Sequence, residues 1–456
     1  MTRALLLVSA ALTTLVACSN ARIVSQTPTL PHLEAISVQD PVFSGPLRVY
    51  RGGNPRGPTV VLVHGIGEEA SHAWSELVPE LVDEYHILAF DLPGFGGSPG
   101  GNEAYTPENY ARVLEHVVAE FVEPPIYLAG HSLGGAVALE FVGRNPDQVA
   151  HLFLVSVPGI LHKGAFTTYL ISESADNDED ASLSDRVTAR LLRKLIRKTP
   201  NSDGMMDSAF LRDLVLSGSP RRIAGFGVAI TAFSEILAEL RTPTSIFWGR
   251  ADQVAPVRTA RVLAALAPGR DLTLFDKTGH VPMKERPEAF NREFIERLRH
   301  GSPDPSPLPM AARTPGTRTV RCSDHHEGMT IEGRHQLIVI EDCTNVTLKR
   351  VTARRIEIHR SRVTLREPWI VGEDAGLVMT HSDVMLTAGR IAADTPIEMN
   401  STFLDIAGTT LLGRNALIRG TGHEANEITA SLTRGATRDL GLRLHGIYAL
   451  APGETL

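Results

Sequence analysis

Short apolar runs alternate with helix-like segments between about residue 59 and residue 158. The runs are rich in Val, Ile and Leu, which is typical of strands buried on both faces, and the segments between them carry apolar residues at helical spacing. The runs lie at residues 60–63, 87–90, 126–129 and 152–155, and the helix-like segments lie at 74–82, from 106 onward and at 133–142. This alternation predicts an α/β fold with a doubly wound, mostly parallel sheet.

The strand pattern stops at Pro158 and returns only at residues 245–248 and 272–275. Between these points, residues 159 to about 241 look helical, with an acidic stretch followed by a basic amphipathic one. We therefore predict a helical cap of residues 159–241, inserted between two strands of a domain that spans residues 45–300.

The composition changes after a proline-rich stretch at residues 301–316, which predicts a stiff linker. Beyond it, short β-rich units recur, with Val346, Val363 and Val384 at equivalent positions and a weaker fourth unit at Phe403. Such spacing indicates stacked coils. Residues 317–456 are thus predicted to form a small all-β domain, β-solenoid-like and resembling a parallel β-helix, with a compact β-sandwich as the alternative.

The N-terminus has the order of regions found in a secretory signal. Arg3 precedes an apolar run at residues 4–17, and the run ends in Leu-Val-Ala before Cys18. This resembles the lipobox of bacterial lipoproteins, which implies a signal peptide of residues 1–18, lipidation of Cys18 and a tether at 19–44. Ser19 resembles a signal for the outer rather than the inner membrane of the cell envelope. The alternative is an ordinary signal peptide with a chance cysteine.

Export also bears on the two remaining cysteines, Cys322 and Cys343. An oxidising compartment permits a disulfide, so the two either pair or remain as separate buried thiols.

Charge and composition limit the classes of partner that the protein is expected to bind. The chain has 456 residues, enough for two domains, and a net charge of -7 that gives no electrostatic reason to expect nucleic acid. Its 17 histidines show no metal-ligand spacing, so we expect no metal and no cofactor.

A Gly-x-Ser-x-Gly sequence follows the third apolar run. Gly130, His131, Ser132, Leu133 and Gly134 lie between a predicted strand and a predicted helix, the context in which this spacing forms a nucleophile elbow. The turn is sharp, so small residues must flank the serine. Ser132 is the predicted nucleophile.

An acyl-transfer nucleophile needs donors for the oxyanion that develops in the transition state. One is expected to be the backbone N–H of Leu133, and the other that of Ile66, in the glycine-flanked loop after the first apolar run. His64 in that loop is interpreted as structural.

A serine hydroxyl also needs a base, and the base needs a carboxylate to orient it. Asp252 and His280 each follow a predicted strand, and the chain order Ser, Asp, His suits this fold. Asp276 lies within or near a strand, and the sequence after residues 152–155 offers no carboxylate. Asp252 and His280 are therefore the predicted acid and base.

Together with the Gly-rich loop at residues 91–98, these motifs make residues 45–300 similar to the α/β-hydrolase superfamily, in its branch with a helical cap. The resemblance implies an esterase- or lipase-like serine hydrolase that forms an acyl-enzyme on Ser132. A serine at the elbow argues against haloalkane dehalogenases and epoxide hydrolases, which need a carboxylate nucleophile. Acyl transfer and C–C bond hydrolysis use the same residues and remain open.

The expected substrate is a small-molecule or lipid acyl compound at a membrane reached through the lipid anchor. Another hypothesis makes the hydrolase secondary and treats residues 317–456 as a module that binds envelope polysaccharide or protein. In a third hypothesis, the β-repeat domain has no binding role and serves only as a cap or a spacer for the enzyme.

Overall fold

The computed structural model describes residues 30–162, 206–267, 269, 271–301, 314–422, 424–438 and 440–456. The predicted signal peptide, Cys18, residues 163–205 of the predicted cap and most of the proline-rich linker lie outside these ranges. Within the described ranges, no helix combines the length and apolar character needed to cross a bilayer.

The first domain is built on an eight-stranded sheet in the order β1-β2-β4-β3-β5-β6-β7-β8. Its strands are β1 (Leu33–Gln39), β2 (Pro46–Gly53), β3 (Thr59–Val63), β4 (His86–Phe90), β5 (Ile126–His131), β6 (Val149–Val155), β7 (Thr244–Gly249) and β8 (Asp271–Phe275). The strands from β4 to β8 pair in parallel, whereas β1 and β2 are antiparallel additions at one edge. The strand order reverses beside β3, so a crevice opens at the carboxyl ends of β3 and β5.

The sheet begins earlier than the sequence predicts. Residues 33–39, assigned to the tether at 19–44, form β1, which pairs with β2 from Leu33 opposite Gly52 to Gln39 opposite Pro46. Only one face of this edge strand is covered, and its alternation of apolar and polar residues is too short to stand out among nearby prolines.

Helices cover the sheet and form the cap. They are α1 (Val78–Leu81), α2 (Pro107–Phe121), α3 (Leu133–Arg144), α4 (Ala209–Leu216), α5 (Pro220–Ile230), α6 (Ser234–Glu239), α7 (Val257–Leu266), α8 (Pro282–Glu285) and α9 (Pro287–His300). Helix α2 begins as predicted, with Pro107 in its first turn and Thr106 as N-cap, whose side chain accepts from the Asn109 N–H. Helices α4, α5 and α6 belong to the predicted cap. Ile223, Ala224 and Val228 of α5 are buried in the main core of the domain.

The second domain is all-β, as predicted. Its strands are β9 (Thr319–Ser323), β10 (Met329–Arg334), β11 (Leu337–Glu341), β12 (Val346–Ala353), β13 (Arg355–His359), β14 (Arg362–Arg366), β15 (Trp369–Val371), β16 (Ala375–Thr380), β17 (Asp383–Thr387), β18 (Arg390–Ala392), β19 (Thr395–Asn400), β20 (Phe403–Ala407), β21 (Thr410–Leu412), β22 (Ile418–Gly420), β23 (Asn426–Ala436) and β24 (Gly441–Leu450). Parallel pairing between successive coils builds its sheets, and β24 pairs antiparallel with β23. This is the stacked-coil, β-solenoid-like arrangement rather than a sandwich of antiparallel strands.

The repeat positions agree with the strand register for three units and differ in the fourth. Val346 pairs with Val363, and Val363 with Val384. The next partner is Leu404, one residue beyond the predicted Phe403. The predicted fourth unit began with Ser401, whereas Thr402 occupies the corner that Ser361 and Ser382 occupy in the earlier coils.

A ladder of hydrogen bonds at this corner explains the spacing. In each bond a side-chain oxygen of one coil accepts from a backbone N–H of the coil before it. The Ser361 hydroxyl accepts from the Cys343 N–H at 2.9 Å, and the Ser382 hydroxyl accepts from the Ser361 N–H at 3.1 Å. The Thr402 hydroxyl accepts from the Ser382 N–H at 3.4 Å, and the Asn426 side-chain oxygen accepts from the Thr402 N–H at 3.2 Å. Each hydroxyl in turn donates to the carbonyl two residues before it. Because a buried backbone N–H needs an acceptor, each coil supplies one to the coil before it.

Of the two alternatives left open for Cys322 and Cys343, the structure has the second, since both residues are free, buried thiols. The Cys343 thiol donates to the Glu341 carbonyl at 3.2 Å. Burial, reinforced by the neighbouring Cys343, raises the pKa of the Cys322 thiol to about 12. The alternative of two buried thiols therefore describes this pair, which lies within the apolar core of the coils.

Candidate active site

Ser132 lies at the sharp turn between β5 and α3, with φ 51° and ψ -117°. Glycines make this turn sterically possible. A Cβ on Gly130 would lie 2.3 Å from the Gly134 carbonyl oxygen, and a Cβ on Gly134 would lie 2.2 Å from that of Val63. The turn is fixed by the Ser132 N–H, which donates to the Val155 carbonyl at 2.9 Å. The elbow geometry predicted from the Gly-x-Ser-x-Gly spacing is present.

Three residues from separate strand ends meet at this turn. The His280 Nε2 lies 3.0 Å from the Ser132 Oγ, and the His280 Nδ1 lies 2.9 Å from Asp252 Oδ2. The Asp252 side chain is fully buried, and that of His280 is 17% exposed. An ionised Asp252 accepts the Nδ1 hydrogen, which leaves the Nε2 lone pair directed at the serine hydroxyl.

The acid loop, residues 250–256 after β7, holds Asp252 in place. Asp252 Oδ1 accepts from the N–H groups of Val254 and Ala255 at 2.9 and 2.8 Å. The Ala255 carbonyl in turn accepts from the Trp248 indole at 2.6 Å. One carboxylate oxygen is thus used by its own loop, and the other serves His280.

The loop that carries His280 is held by two side chains that the sequence interpretation missed. Glu285 accepts from the N–H groups of Gly279 and Val281, the neighbours of His280, at 2.7 and 3.0 Å. The His131 Nε2 donates to the His280 carbonyl at 2.9 Å. The His131 ring thus lies against the base, with the two ring centroids 5.1 Å apart. The signal for Glu285 was available, because Pro282 opens a short helix that brings residue 285 back to the loop.

Replacing Glu285 by Gln is expected to lower kcat for the hydrolytic reaction on the order of 10-fold, with little change in KM. Glutamine can accept at only one of the two N–H groups, so His280 loses alignment while the substrate contacts remain. Steady-state kinetics of Glu285→Gln beside Glu288→Gln, an exposed glutamate one turn further on, measure this effect. Equal kcat values in the two variants would show that the loop does not need this carboxylate.

The loop after β3 lies directly against the elbow. A Cβ on Gly65 would come within 2.8 Å of both the Ser132 Cβ and the His131 Nδ1, so only glycine fits there. Ile66 follows, and a Cβ on Gly225 of cap helix α5 would lie 3.7 Å from its side chain. Leu133 is the first residue of α3, where a backbone N–H has no partner within the helix. Ile66 and Leu133, the residues predicted to supply the oxyanion donors, thus follow Gly65 and Ser132 directly, and the Ile66 side chain lies near the cap helix α5.

His64 ties two loops together. Its Nδ1 donates to the Gly65 carbonyl at 2.7 Å, and its Nε2 accepts from the Leu92 N–H at 2.8 Å. Burial lowers its pKa. These bonds use both ring nitrogens within the backbone, which agrees with the structural interpretation of this histidine.

Asp91 organises the neighbouring glycine-rich loop, and the sequence interpretation assigned it no role. It is fully buried and accepts from the Tyr50 hydroxyl at 3.1 Å, the Ser71 N–H at 3.0 Å and the Gly97 N–H at 2.8 Å. Burial of the Tyr50 hydroxyl, and next the charge of Asp91, raise the pKa of Tyr50. Three separate segments therefore bind one carboxylate.

Buried neutral histidines predict a loss of stability in mild acid. Burial, and next the charge of His280, lower the pKa of His131 from 6.5 to about 3, and burial lowers that of His151 and His445 to about 4. The unfolded chain takes up protons below pH 6.5 while the fold does not, so stability is full above pH 6.5 and declines toward pH 4. Each histidine contributes a slope of about 1.4 kcal/mol per pH unit.

Urea unfolding at pH 7.5, 6.5, 5.5 and 4.5 measures this decline. Carboxylates titrate mainly below pH 5.5. A fall in the free energy of unfolding that starts between pH 6.5 and 5.5 therefore identifies the histidines. A constant value across that interval would contradict the expectation.

Among the described residues, no group of three or more His, Cys, Asp or Glu side chains is arranged to hold a metal ion.

Comparison with known proteins places this site in a family. The sequence profile described as the alpha/beta hydrolase family matches residues 60–293, more than half of the chain, and includes Ser132, Asp252 and His280. The protein belongs to the alpha/beta hydrolase family. The all-β domain lies beyond the matched residues of this hydrolase.

Two curated relatives of this alpha/beta hydrolase are named for hydrolytic reactions. The chain is 28% identical over 270 residues to a pimeloyl-[acyl-carrier protein] methyl ester esterase of Neisseria meningitidis, covering 58% of this chain and 83% of that protein. It is 25% identical over 264 residues to a 2-hydroxy-6-oxononadienedioate/2-hydroxy-6-oxononatrienedioate hydrolase of Cupriavidus pinatubonensis, covering 53% and 86%. Such relatives support a hydrolytic function.

Part of the chain is also similar to a solved structure. A thermophilic esterase from Thermogutta terrifontis superimposes with a TM-score of 0.42 at 22% identity, covering 59% of this chain and all of that one (100%).

Proposed function

We propose that the protein is a serine hydrolase that cleaves a carboxylic ester through an acyl-enzyme intermediate. The observation that carries the proposal is the continuous chain of contacts from Ser132 through His280 to Asp252, at 3.0 and 2.9 Å. A serine hydroxyl is a weak nucleophile, and this arrangement supplies both the base and the carboxylate that stabilises the base once it is charged.

In the acylation half-reaction, Ser132 Oγ attacks the substrate carbonyl while its proton passes to His280 Nε2. The carbonyl electrons move onto oxygen, and the N–H groups of Ile66 and Leu133 donate to the resulting oxyanion. Each such donor contributes roughly 3 kcal/mol to the transition state. When the tetrahedral intermediate collapses, the alkoxide leaves with the proton from His280, and the acyl group stays on Ser132.

In the deacylation half-reaction, His280 takes a proton from water, and the hydroxide oxygen attacks the acyl-enzyme. The second tetrahedral intermediate returns the proton to Ser132 Oγ and releases the carboxylic acid. Because Asp252 stays ionised throughout, it stabilises the imidazolium in both halves.

The substrate class rests on the relative named as a methyl ester esterase, which favours an ester over other acyl compounds. The relative named as an oxononadienedioate hydrolase gives specific support to a second candidate, hydrolysis of a C–C bond beside a ketone. The same nucleophile, base and oxyanion donors serve both reactions.

We also propose that the enzyme acts at the bacterial envelope, held by acyl chains on Cys18. Support comes from the lipobox-like Leu-Val-Ala-Cys at residues 15–18. Each buried CH₂ of an acyl chain contributes about 0.8 kcal/mol to membrane binding, so several chains on one residue give a firm anchor. Labelling cells with radioactive palmitate tests this, with Cys18→Ala as the variant expected to lose the label.

Hydrolysis of p-nitrophenyl esters from acetate to palmitate by protein without residues 1–18 tests the reaction. We expect ester turnover that Ser132→Ala lowers by roughly 10⁴-fold or more, with an optimum acyl chain length. If the wild type is inert toward esters but a fluorophosphonate labels Ser132, the C–C candidate is favoured. Folded protein that neither turns over nor reacts with the fluorophosphonate would overturn the proposal.

A further inference from the structure

One face of the all-β domain is packed against the hydrolase. The outward side chains of three neighbouring strands, β17, β20 and β23, are there buried rather than hydrated. Thr387, Asp405 and Ser431 are 2%, 1% and 0% exposed. We refer to this surface, residues 387, 405–408 and 431–432, as the docked face.

A buried ion pair lies at its centre. Arg258, the second residue of α7, donates from Nη1 and Nη2 to the two carboxylate oxygens of Asp405 at 2.6 and 2.8 Å, and from Nε to the Thr387 hydroxyl at 2.9 Å. The Arg258 and Asp405 side chains are only 4% and 1% exposed. Two charges so far from water are tolerated only because each satisfies the other in a bidentate geometry.

Apolar packing surrounds the pair. Ala407 and Leu432 are members of the hydrolase's own main core. Gly408, with φ 57°, lies so close to α7 that a Cβ there would be 3.2 Å from the Val262 Cα. The backbone at Gly408 therefore packs directly on α7. This close packing distinguishes the contact from the more polar interfaces that are usual between independent domains.

The docked face also contacts the chain where it leaves the sheet toward the cap. The His162 N–H donates to the Ser431 hydroxyl at 2.8 Å, and the His162 and His445 rings lie edge to face with centroids 5.1 Å apart. The all-β domain thus contacts two segments that both begin at the carboxyl edge of the sheet.

From these contacts we propose that the all-β domain is a fixed part of the enzyme that positions the acid loop through α7. Helix α7 begins at Val257, two residues after Ala255, whose N–H binds Asp252. The ion pair fixes Arg258 and with it the first turn of α7. Because this turn follows the acid loop directly, it also fixes the loop that orients Asp252. Arg258 and Asp405 are accordingly positioning residues. The kinetic part of the proposal rests on the proposed hydrolase function, whereas the docking itself does not.

Cleaving the linker in the folded full-length protein tests the docking. A protease site is introduced between residues 302 and 313, the protein is cut after purification, and the two pieces are passed over a gel-filtration column at micromolar concentration. We expect the pieces to co-elute. Separation of the wild-type pieces would overturn the proposal and favour an independent binding module.

Asp405→Asn tests the positioning, with Asp342→Asn as its matched control. Both substitutions remove a carboxylate of the all-β domain that pairs with an arginine, but Arg360 belongs to the same domain as Asp342, and that pair is exposed. We expect Asp405→Asn to lower kcat about 10-fold with KM within about twofold, and Asp342→Asn to change neither. Replacing both charges, in Arg258→Met with Asp405→Leu, is expected to restore most of kcat because no unpaired charge remains.

Hydrogen exchange gives a readout that does not need activity. The Val254 and Ala255 amides bind Asp252, so their exchange is expected to accelerate in Asp405→Asn and to stay at the wild-type rate in Asp342→Asn. If the wild type hydrolyses no ester, the proposed function fails while this experiment still tests the positioning. Unchanged exchange at both amides in Asp405→Asn would overturn the inference.

Discussion

Replacing either Ser132 or His280 by alanine is expected to lower kcat for ester hydrolysis by roughly 10⁴-fold or more, and replacing both is expected to cost little beyond the larger single loss. The reason is that the two act as one unit. His280 Nε2 lies 3.0 Å from Ser132 Oγ, so the base has no proton to take without the serine, and the serine has no base without the histidine. Steady-state kinetics of the two single variants and the double variant measure this.

A matched control is His116→Ala, a histidine on helix α2 that pairs with Glu120 one turn away. It is expected to retain wild-type kinetics. Additive losses in the double variant would mean that Ser132 and His280 contribute independently, which would contradict the shared proton transfer. Activity left by oxyanion donors and substrate binding is expected to persist at a low level in all three active-site variants.

Replacing Gly134 by alanine is expected to reduce the free energy of unfolding by about 3 kcal/mol and to abolish turnover. The added Cβ would lie 2.2 Å from the Val63 carbonyl oxygen and 2.6 Å from that of His64. Both contacts are with backbone, which cannot rotate away, so β3 and α3 must move apart. Their separation would displace the oxyanion loop from Ser132.

The control for this prediction is Gly101→Ala, where an added Cβ meets nothing within 4 Å. Urea unfolding of the two variants separates steric collision from the general effect of removing a glycine, and p-nitrophenyl ester turnover follows activity. A Gly134→Ala protein as stable as Gly101→Ala would show that the elbow tolerates a wider turn than its geometry indicates.

Local sequence was sufficient for the elements and for the three central residues of the site. The apolar runs predicted strands because a strand buried on both faces needs continuous apolar residues, and the structure has β3 to β8 at those positions. Ser132, Asp252 and His280 could be selected because each follows a strand end, and the carboxyl ends of parallel strands meet at one edge of a sheet.

Short-range spacing also predicted the stacked coils. Val346, Val363 and Val384 were recognised because each coil must place an apolar residue at the same inward position. The fourth unit was displaced by one residue because the identity of its corner residue depends on the ladder of acceptors between coils, which no single coil contains.

Only the tertiary structure decided which partners meet over long distances. Arg258 and Asp405 are 147 residues apart, and neither carries a local signal for the other. His131 meets the carbonyl of a residue 149 positions later. The same applies to β1, because its exposed face is polar and only its pairing with β2 identifies it as a strand. It also applies to the two thiols, because the stacking of the coils decides whether they are paired or free.

Sequence alone therefore determined where β3 to β8 lie along the chain, the turn that exposes Ser132 and the residue types at the ends of these strands, because these depend on neighbours within a few positions. The docking of the all-β domain on α7 and the support of His280 by Glu285 and His131 were decided by the tertiary structure. The physical reason is burial, because a charge or N–H that is removed from water requires a hydrogen-bond partner. Which group becomes that partner depends on what the folded chain brings within about 3 Å.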